Sequence, residues 1–231
     1  MSSGRERAGT ARQRIALFGG TFNPIHLGHL RAAEEAAERL ALDRVLFVPS
    51  ADPPHKAGGA ADPLAPAHLR LAWVRLAVAG NPRFEVDPLE VERGGRSYSV
   101  DTLRALAARL APERPIFLIG HDAFALLDTW RDPEALFELA HFAVIARPGG
   151  AAGTLSDWLP KRVRDDVELA ADALSAQHRA GAWIRVLEIA GLDVSASDLR
   201  ARLRAGRSVR YLLPEPVREA VLASGVYGSS C

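Results

Sequence analysis

Cysteine is almost missing from this chain: Cys231 is the only one, at the final position. An internal disulfide framework is thereby excluded, and a reducing, cytoplasmic setting is expected. Net charge is nearly missing as well, at +1 from 29 basic and 28 acidic side chains. Such a balance provides no global field for nucleic acid or an anionic membrane surface, so neither is expected as a partner. No apolar run approaches the roughly 20 residues that span a bilayer. The basic residues at the start are followed by Ile15–Phe18, which stops at two glycines and is too short for a secretory leader. Residues 1–13 are expected to form a flexible tail. No internal repeat is present. What remains is an ordinary composition, 48% hydrophobic and 25% charged over 231 residues, enough to bury the core of one large domain.

The most informative stretch is I-A-L-F-G-G-T-F-N-P-I-H-L-G-H-L-R, residues 15–31. Ile15 to Phe18 reads as a short buried parallel strand. Gly19 and Gly20 end it and let backbone approach a ligand, because no Cβ intervenes. Thr21, Phe22, Asn23 and Pro24 carry turn chemistry, with Pro24 keeping Asn23 out of the helical region. His26-Leu27-Gly28-His29 then leads into an alanine- and glutamate-rich helix former. A strand, a glycine turn and a helix N-terminus together make an anion site, since free N–H groups and the helix dipole converge there. Two imidazoles three residues apart share one side of the first helical turn and offer donors to charge developing on phosphorus. A Walker A loop is excluded by the missing Lys-Ser/Thr, and the dinucleotide fingerprint by the missing G-x-G-x-x-G. Two ordinary histidines at a helix start, or half a metal site, are the alternatives at this point.

Strand and helix patterns alternate through the rest of the chain. A helix is expected from about Gly28 to Leu40, with Leu30, Ala33, Ala37 and Leu40 inward, then a strand at Val45–Val48. The following loop holds His55 and Lys56, beyond the end of a parallel strand where open α/β sheets bind ligands. A helix over Ala67–Val78 turns Leu69, Trp73 and Leu76 inward, and a short strand follows at Phe84–Val86. A helix opens near Ser99 and runs to Leu110. The strand Pro115–Ile119 delivers Gly120, His121 and Asp122 to its C-terminal end, where a carboxylate suits ribose hydroxyls or a helix cap. Trp130 lies in the next turn, as core or as a platform for an aromatic ring. Strands at His141–Ala146 and Trp183–Ile189 flank residues 149–181, which read as a variable, partly helical excursion. Near the end Ser195 and Ser197 open a helix with Arg200 one turn in, a second phosphate cradle. Arg200, Arg204 and Arg207 share one face by helical spacing, and the latter two read as solvated charge. A helix beginning in L-L-P-E-P-V closes the chain.

G-G-T-F-N-P-I-H-L-G-H, P-P-H-K, S-Y-S-V-D-T-L, I-G-H-D, T-W, V-S-A-S-D-L-R and L-L-P-E-P-V occur in this order. The series resembles the bacterial nicotinate-mononucleotide adenylyltransferases. These belong to the nucleotidyltransferase superfamily that shares a His-x-Gly-His motif with class I aminoacyl-tRNA synthetases. The resemblance spans residues 14–227, read as a single nucleotidyltransferase domain, except for 149–181. It implies an α/β, Rossmann-like, doubly wound parallel sheet with helices on both faces and a small C-terminal helical part. It also implies that ATP and nicotinate mononucleotide are joined to give deamido-NAD and pyrophosphate, with Mg²⁺ accompanying ATP and no metal site on the protein itself.

By the same resemblance, His26, His29 and Arg200 act on the transferring phosphate. Gly19, Gly20, Thr21, Phe22, Ser195 and Ser197 line the ATP phosphates, while Gly120 and Asp122 meet a ribose. His55 and Lys56 approach the mononucleotide phosphate, Trp130 stacks on the pyridine, and amides near Ser99 and Arg131 receive its carboxylate. Three positions depart from the usual pattern: Asn23 for Asp, Ser197 for Thr, and His121 for a residue such as Gln. Phosphopantetheine adenylyltransferases and cytidylyltransferases keep H-x-G-H, but P-P-H-K, T-W and L-L-P-E-P-V argue against them. A nucleotide-binding sensor without turnover would need no paired histidines. A homo-oligomer is left open.

Overall fold

The computed structural model describes residues 13–54, 63–146 and 153–228. Its strands are β1 (Ile15–Gly20), β2 (Arg44–Pro49), β3 (Phe84–Val86), β4 (Ile116–Gly120), β5 (His141–Ala146), β6 (Val167–Leu169), β7 (Ser175–His178) and β8 (Trp183–Glu188). The helices are α1 (Leu27–Arg39), α2 (Ala67–Val78), α3 (Leu89–Arg93), α4 (Ser99–Leu110), α5 (His121–Ala125), α6 (Pro133–Leu139), α7 (Leu155–Trp158), α8 (Ala196–Arg204) and α9 (Glu215–Ser224). The strands form one sheet in the order β3-β2-β1-β4-β5-β8-β7-β6. Pairings from β3 through β8 are parallel, and β7 and β6 are added antiparallel. The expected doubly wound α/β arrangement is therefore present, with a mixed edge.

Strand periodicity divides the core in two. On β1, Ala16 and Phe18 join one apolar cluster while Ile15 and Leu17 join the other. The same split holds for Val45 and Phe47 against Leu46 and Val48, and for Ile116 and Leu118 against Phe117 and Ile119. Helices α1, α2, α8 and α9 cover the first face; α4, α6 and α7 cover the second. Both faces being covered explains why the strands read as unbroken apolar runs.

Helix α1 lies close to the sheet because Ala32, Ala33, Ala36 and Ala37 form its buried side; Leu40 is also buried, and Leu30 only partly. On α2 the inward residues include Arg70, Leu71, Trp73, Val74 and Val78, whereas Leu76 is 42% exposed, contrary to expectation. The helical phase is set by Trp73, and position 76 falls just outside its stripe. Helix α8 ends at Arg204, so Arg207 lies past the helix and does not continue the face of Arg200. Residues 153–181 are not a helical excursion. After the short α7 they form the β6–β7 hairpin, which pairs with β8 and extends the sheet.

Beside that edge lies a partly buried imidazole. His141 stacks on Trp183 with ring centroids 4.8 Å apart, and its Nδ1 accepts the backbone N–H of Trp183 at 3.1 Å. Burial, aided by Arg114 and Arg185, lowers its pKa from 6.5 to about 4. Above pH 6.5 the ring is neutral in the folded and unfolded chain alike. As pH falls toward 4 only the unfolded chain binds the proton, so stability is lost across that window. His178 is shifted in the same direction, mainly by burial. In His141→Asn, whose side-chain oxygen can still accept from Trp183, the unfolding free energy from urea titration should decline less steeply between about pH 6.5 and 4.5 than in the parent chain. Equal slopes would remove His141 from this titration.

Candidate functional site

The sheet order reverses direction between β1 and β4, and there the two strands share only the pairs Ala16–Ile116 and Leu17–Phe117. Beyond that point β1 stays with β2 as far as Gly20–Pro49, and β4 stays with β5 as far as Gly120–Ile145. The C-terminal halves thus part company, opening a crevice at the switch point, where α/β sheets bind ligands. Gly19 and Gly20 line one side and Gly120 the other.

These glycines are bare for different reasons. A Cβ on Gly20 would come within 2.9 Å of the Phe22 ring, which folds back from a left-handed residue with φ 47°. A Cβ on Gly19 would meet nothing nearer than Phe117 at 3.8 Å, and one on Gly120 nothing within 4 Å. Gly19 and Gly120 therefore leave room that the protein itself does not use.

The two histidines sit where the first helix begins. His26 is the N-cap of α1, is 3% exposed, and stacks on His29 with centroids 3.7 Å apart at 24°. His29 Nδ1 accepts the backbone N–H of His26 at 3.2 Å, an imidazole version of the capping box. An accepting Nδ1 has no proton, so the neutral ring carries its proton on Nε2, which makes that atom a donor. Phe22 meets His29 edge-on at 5.1 Å, and Phe18 does so at 6.2 Å. Gly28 is required between them: its Cβ would approach His26 Nδ1 to 3.0 Å.

Arg200 is buried, at 7% exposure, with Nη1 donating to the Asn23 carbonyl at 2.8 Å and Nη2 to Ser197 Oγ at 3.2 Å. Ser195 caps α8 by accepting from the Asp198 N–H at 3.1 Å. Arg204 and Arg207 are exposed. Arg200 thus differs from its neighbours in kind. Asn23 is itself a junction: its Oδ1 accepts from the Ala65 N–H at 2.9 Å and from the Tyr227 hydroxyl, and its Nδ2 donates to the Pro63 carbonyl at 3.0 Å. An aspartate there would set an acceptor against the Pro63 carbonyl, so this chain's asparagine uses both halves of its amide.

Across the crevice, Asp122 lies in the first turn of α5 with its side chain 89% exposed, 2.6 Å from His121 Nε2. His121 is thereby occupied as the partner of Asp122. Trp130 follows a tight 3₁₀ turn at Leu127–Thr129 and is partly buried, its ring 6.3 Å from Phe117. Arg131 lies over the Tyr98 ring at 4.8 Å and 3.5 Å from Asp101. This brings the Trp130 turn against the start of α4, whose first residue is Ser99. His55 and Lys56 lie outside the described residues. The bracing role of Asn23's side chain and the stacking of Tyr98 under Arg131 have no clear counterpart in the sequence; the departure of Asn23 from the usual aspartate is the one available signal. A shallow depression on the outer hairpin, near Gln177, Trp183 and Arg185, involves none of the candidate residues.

Comparison with known proteins points the same way. A family model described as cytidylyltransferase-like matches residues 17–202. A relative from Citrifermentans bemidjiense, named probable nicotinate-nucleotide adenylyltransferase, is 44% identical over 93% of this chain and 98% of its own length. One from Syntrophotalea carbinolica with the same name is 41% identical, over 94% and 98%. In fold, the chain is similar to the Plasmodium falciparum nicotinic acid mononucleotide adenylyltransferase complexed with NaAD. That match has a TM-score of 0.68 at 15% identity, over 93% of this chain and 97% of the other.

The glycine geometry gives a clean test. Gly120→Ala adds a methyl that touches no protein atom within 4 Å, so thermal unfolding should be unchanged or slightly raised. ATP affinity, measured by calorimetry, should fall at least about fivefold if the vacant space is a ligand's, roughly 1 kcal/mol of lost binding. Unchanged affinity would take Gly120 out of the site.

Proposed function

The chain belongs to the nicotinate-nucleotide adenylyltransferases, within the cytidylyltransferase-like proteins, and on that premise we infer that it transfers the adenylyl group of ATP to nicotinate mononucleotide, giving deamido-NAD and pyrophosphate in NAD biosynthesis. The observation that carries this reading is the stacked pair His26 and His29, held at the start of α1 beside the bare glycines of the switch-point crevice.

A phosphate monoester has a second pKa near 6, so the mononucleotide phosphate is already an anionic nucleophile at neutral pH. One of its oxygens attacks the α-phosphorus in line as the bond to pyrophosphate breaks, and no general base or covalent intermediate is required. What the protein supplies is alignment and donors for charge gathering on the phosphoryl oxygens. His29 donates through Nε2, since its Nδ1 is engaged by the His26 amide. His26 stands against it at the helix N-terminus, where the dipole favours anions. Arg200 braces the turn through Asn23 and presents positive charge from the buried side. Ser195 and Ser197, at the start of α8, face the leaving pyrophosphate.

On the other wall, the exposed carboxylate of Asp122 accepts from ribose hydroxyls. Trp130 stacks on the pyridine ring, and backbone amides near Ser99 and Arg131 receive its carboxylate. His55 and Lys56 serve the mononucleotide phosphate. Mg²⁺ would arrive with ATP, held by triphosphate oxygens and water. When bound, the ion neutralises charge on the departing pyrophosphate.

Pyrophosphate release from ATP, measured with nicotinate mononucleotide, with pantetheine phosphate and without acceptor, tests the reading; it requires release with the first alone. His29→Asn keeps an acceptor for the His26 amide but loses the distal donor. It should fold as the parent does while kcat falls by roughly 10²–10³, the range for one lost oxyanion-type donor. Near-full turnover would remove His29 from the chemistry.

Trp130→Ala should raise KM for nicotinate mononucleotide several-fold and leave that for ATP nearly unchanged, as only the pyridine loses a contact. An equal rise in both would make Trp130 a packing residue.

A further inference from the structure

Helix α2 carries a guanidinium on its apolar side. Arg70 is three residues before Trp73 and four before Val74, so helical spacing puts it on their buried face, and its exposure is 0%. A charge so placed is expensive unless its donors are all well used. Arg70 uses them on backbone alone. Its Nε donates to the Ala65 carbonyl at 2.8 Å, Nη1 to the Thr21 carbonyl at 2.7 Å, and Nη2 to the Ala51 carbonyl at 2.8 Å. The three acceptors come from three separate segments: the turn after β1, the chain leaving β2, and the approach to α2. Burial pulls the guanidinium pKa down, partly offset by Tyr227 and Glu90.

Packing alone does not call for this residue. An apolar side chain of similar volume would fill the same space but leave the Thr21, Ala51 and Ala65 carbonyls without this donor, so the residue is called for by hydrogen bonding and not by volume. What only a planar, three-way donor provides is a fixed orientation for three carbonyls at once, a task that a lysine ammonium performs poorly. The Thr21 peptide is the critical one. It is followed directly by Phe22 in its left-handed conformation, with the ring lying against Gly20 and edge-on to His29 at 5.1 Å. On the other side of the same turn, the Gly20 carbonyl is held by the Ser50 N–H at 2.9 Å. Rotating the Thr21 peptide would swing Phe22 and release the wall that confines the His29 ring.

We propose that Arg70 is a positioning residue for adenylyl transfer, fixing the Thr21 carbonyl and through Phe22 the placement of His29. It touches no substrate in this scheme. The inference rests on the adenylyl-transfer reading above and goes beyond it, by assigning a function to a residue outside the crevice.

The test compares the parent chain with Arg70→Lys and Arg70→Met, each with and without His29→Asn. Unfolding is followed by circular dichroism, and kinetics are taken well below the lowest melting temperature. In the otherwise unchanged chain, kcat per folded enzyme should fall at least about tenfold in both Arg70 variants, with KM for ATP changing less than about threefold, the pattern of lost alignment rather than lost binding. Arg70→Lys, which keeps the charge, should not restore kcat. In the His29→Asn background the same Arg70 changes should cost less than about threefold more, because the group they position has already lost its donor.

A kcat per folded enzyme that stays at the parent value, whatever happens to the melting temperature, would overturn the proposal. Full additivity with His29→Asn would do the same, as would an Arg70→Lys chain that fails to fold, since Arg70 would then be a folding residue only. A parent chain that forms no deamido-NAD would defeat the functional reading first and this inference with it. Parent activity with unaffected Arg70 variants defeats the inference alone.

Discussion

Two buried guanidinium groups hold the turn Thr21–Pro24 in place, Arg70 on the Thr21 carbonyl and Arg200 on that of Asn23. The turn is irregular backbone near the molecular interior, where neither a helix nor a strand partner satisfies its polar groups, and unpaired buried carbonyls are costly. Hydrogen bonds from a charged donor are worth about 1.5–3 kcal/mol each, more than neutral ones. The two arginines come from α2 and α8, 49 and 177 positions along the chain from their acceptors. Asn23 adds ties to Pro63, Ala65 and Tyr227. The turn that leads to the histidines therefore depends on contacts from distant parts of the chain.

That rigidity suits the chemistry. In the in-line transfer proposed above the nucleophile arrives ionised and the leaving group is a good one, so the catalytic advantage would lie in preorganised donors and alignment. A stacked pair of imidazoles cannot drift independently, and the capping contact between the His26 amide and His29 Nδ1 leaves the neutral ring's proton on Nε2. The glycines divide the labour further. Gly20 and Gly28 have Phe22 and His26 close beside them, whereas a Cβ on Gly19 would make only ordinary contact with Phe117 and one on Gly120 would meet no protein atom within 4 Å.

The far edge of the sheet follows a different logic. β8 would expose a row of unpaired backbone groups beyond β5, and the antiparallel β7 and β6 cover it. The stack of His141 on Trp183, with Arg185 over the indole at 4.9 Å, ties β8 to β5 beside this added hairpin. None of the candidate site residues reaches this edge.

The amino-acid sequence by itself determined the elements that depend on local pattern: the apolar runs of β1, β2, β4 and β5, the approximate extent of α2 and α4, and the strand–glycine–histidine arrangement read as an anion site. These are set by neighbours within a few positions, so a linear reading captures them. Tertiary structure alone decided what depends on distance across the fold. It buried Arg70 and Arg200 while leaving Arg204 and Arg207 in water, although all four look alike as letters. It turned Leu76 outward, because one turn of helix has a fixed phase against the sheet, and it made residues 167–178 a hairpin at the sheet edge, because β8 offered a partner strand there. A buried charge becomes tolerable only where several carbonyls converge, and that convergence belongs to the packed chain, not to any segment of it.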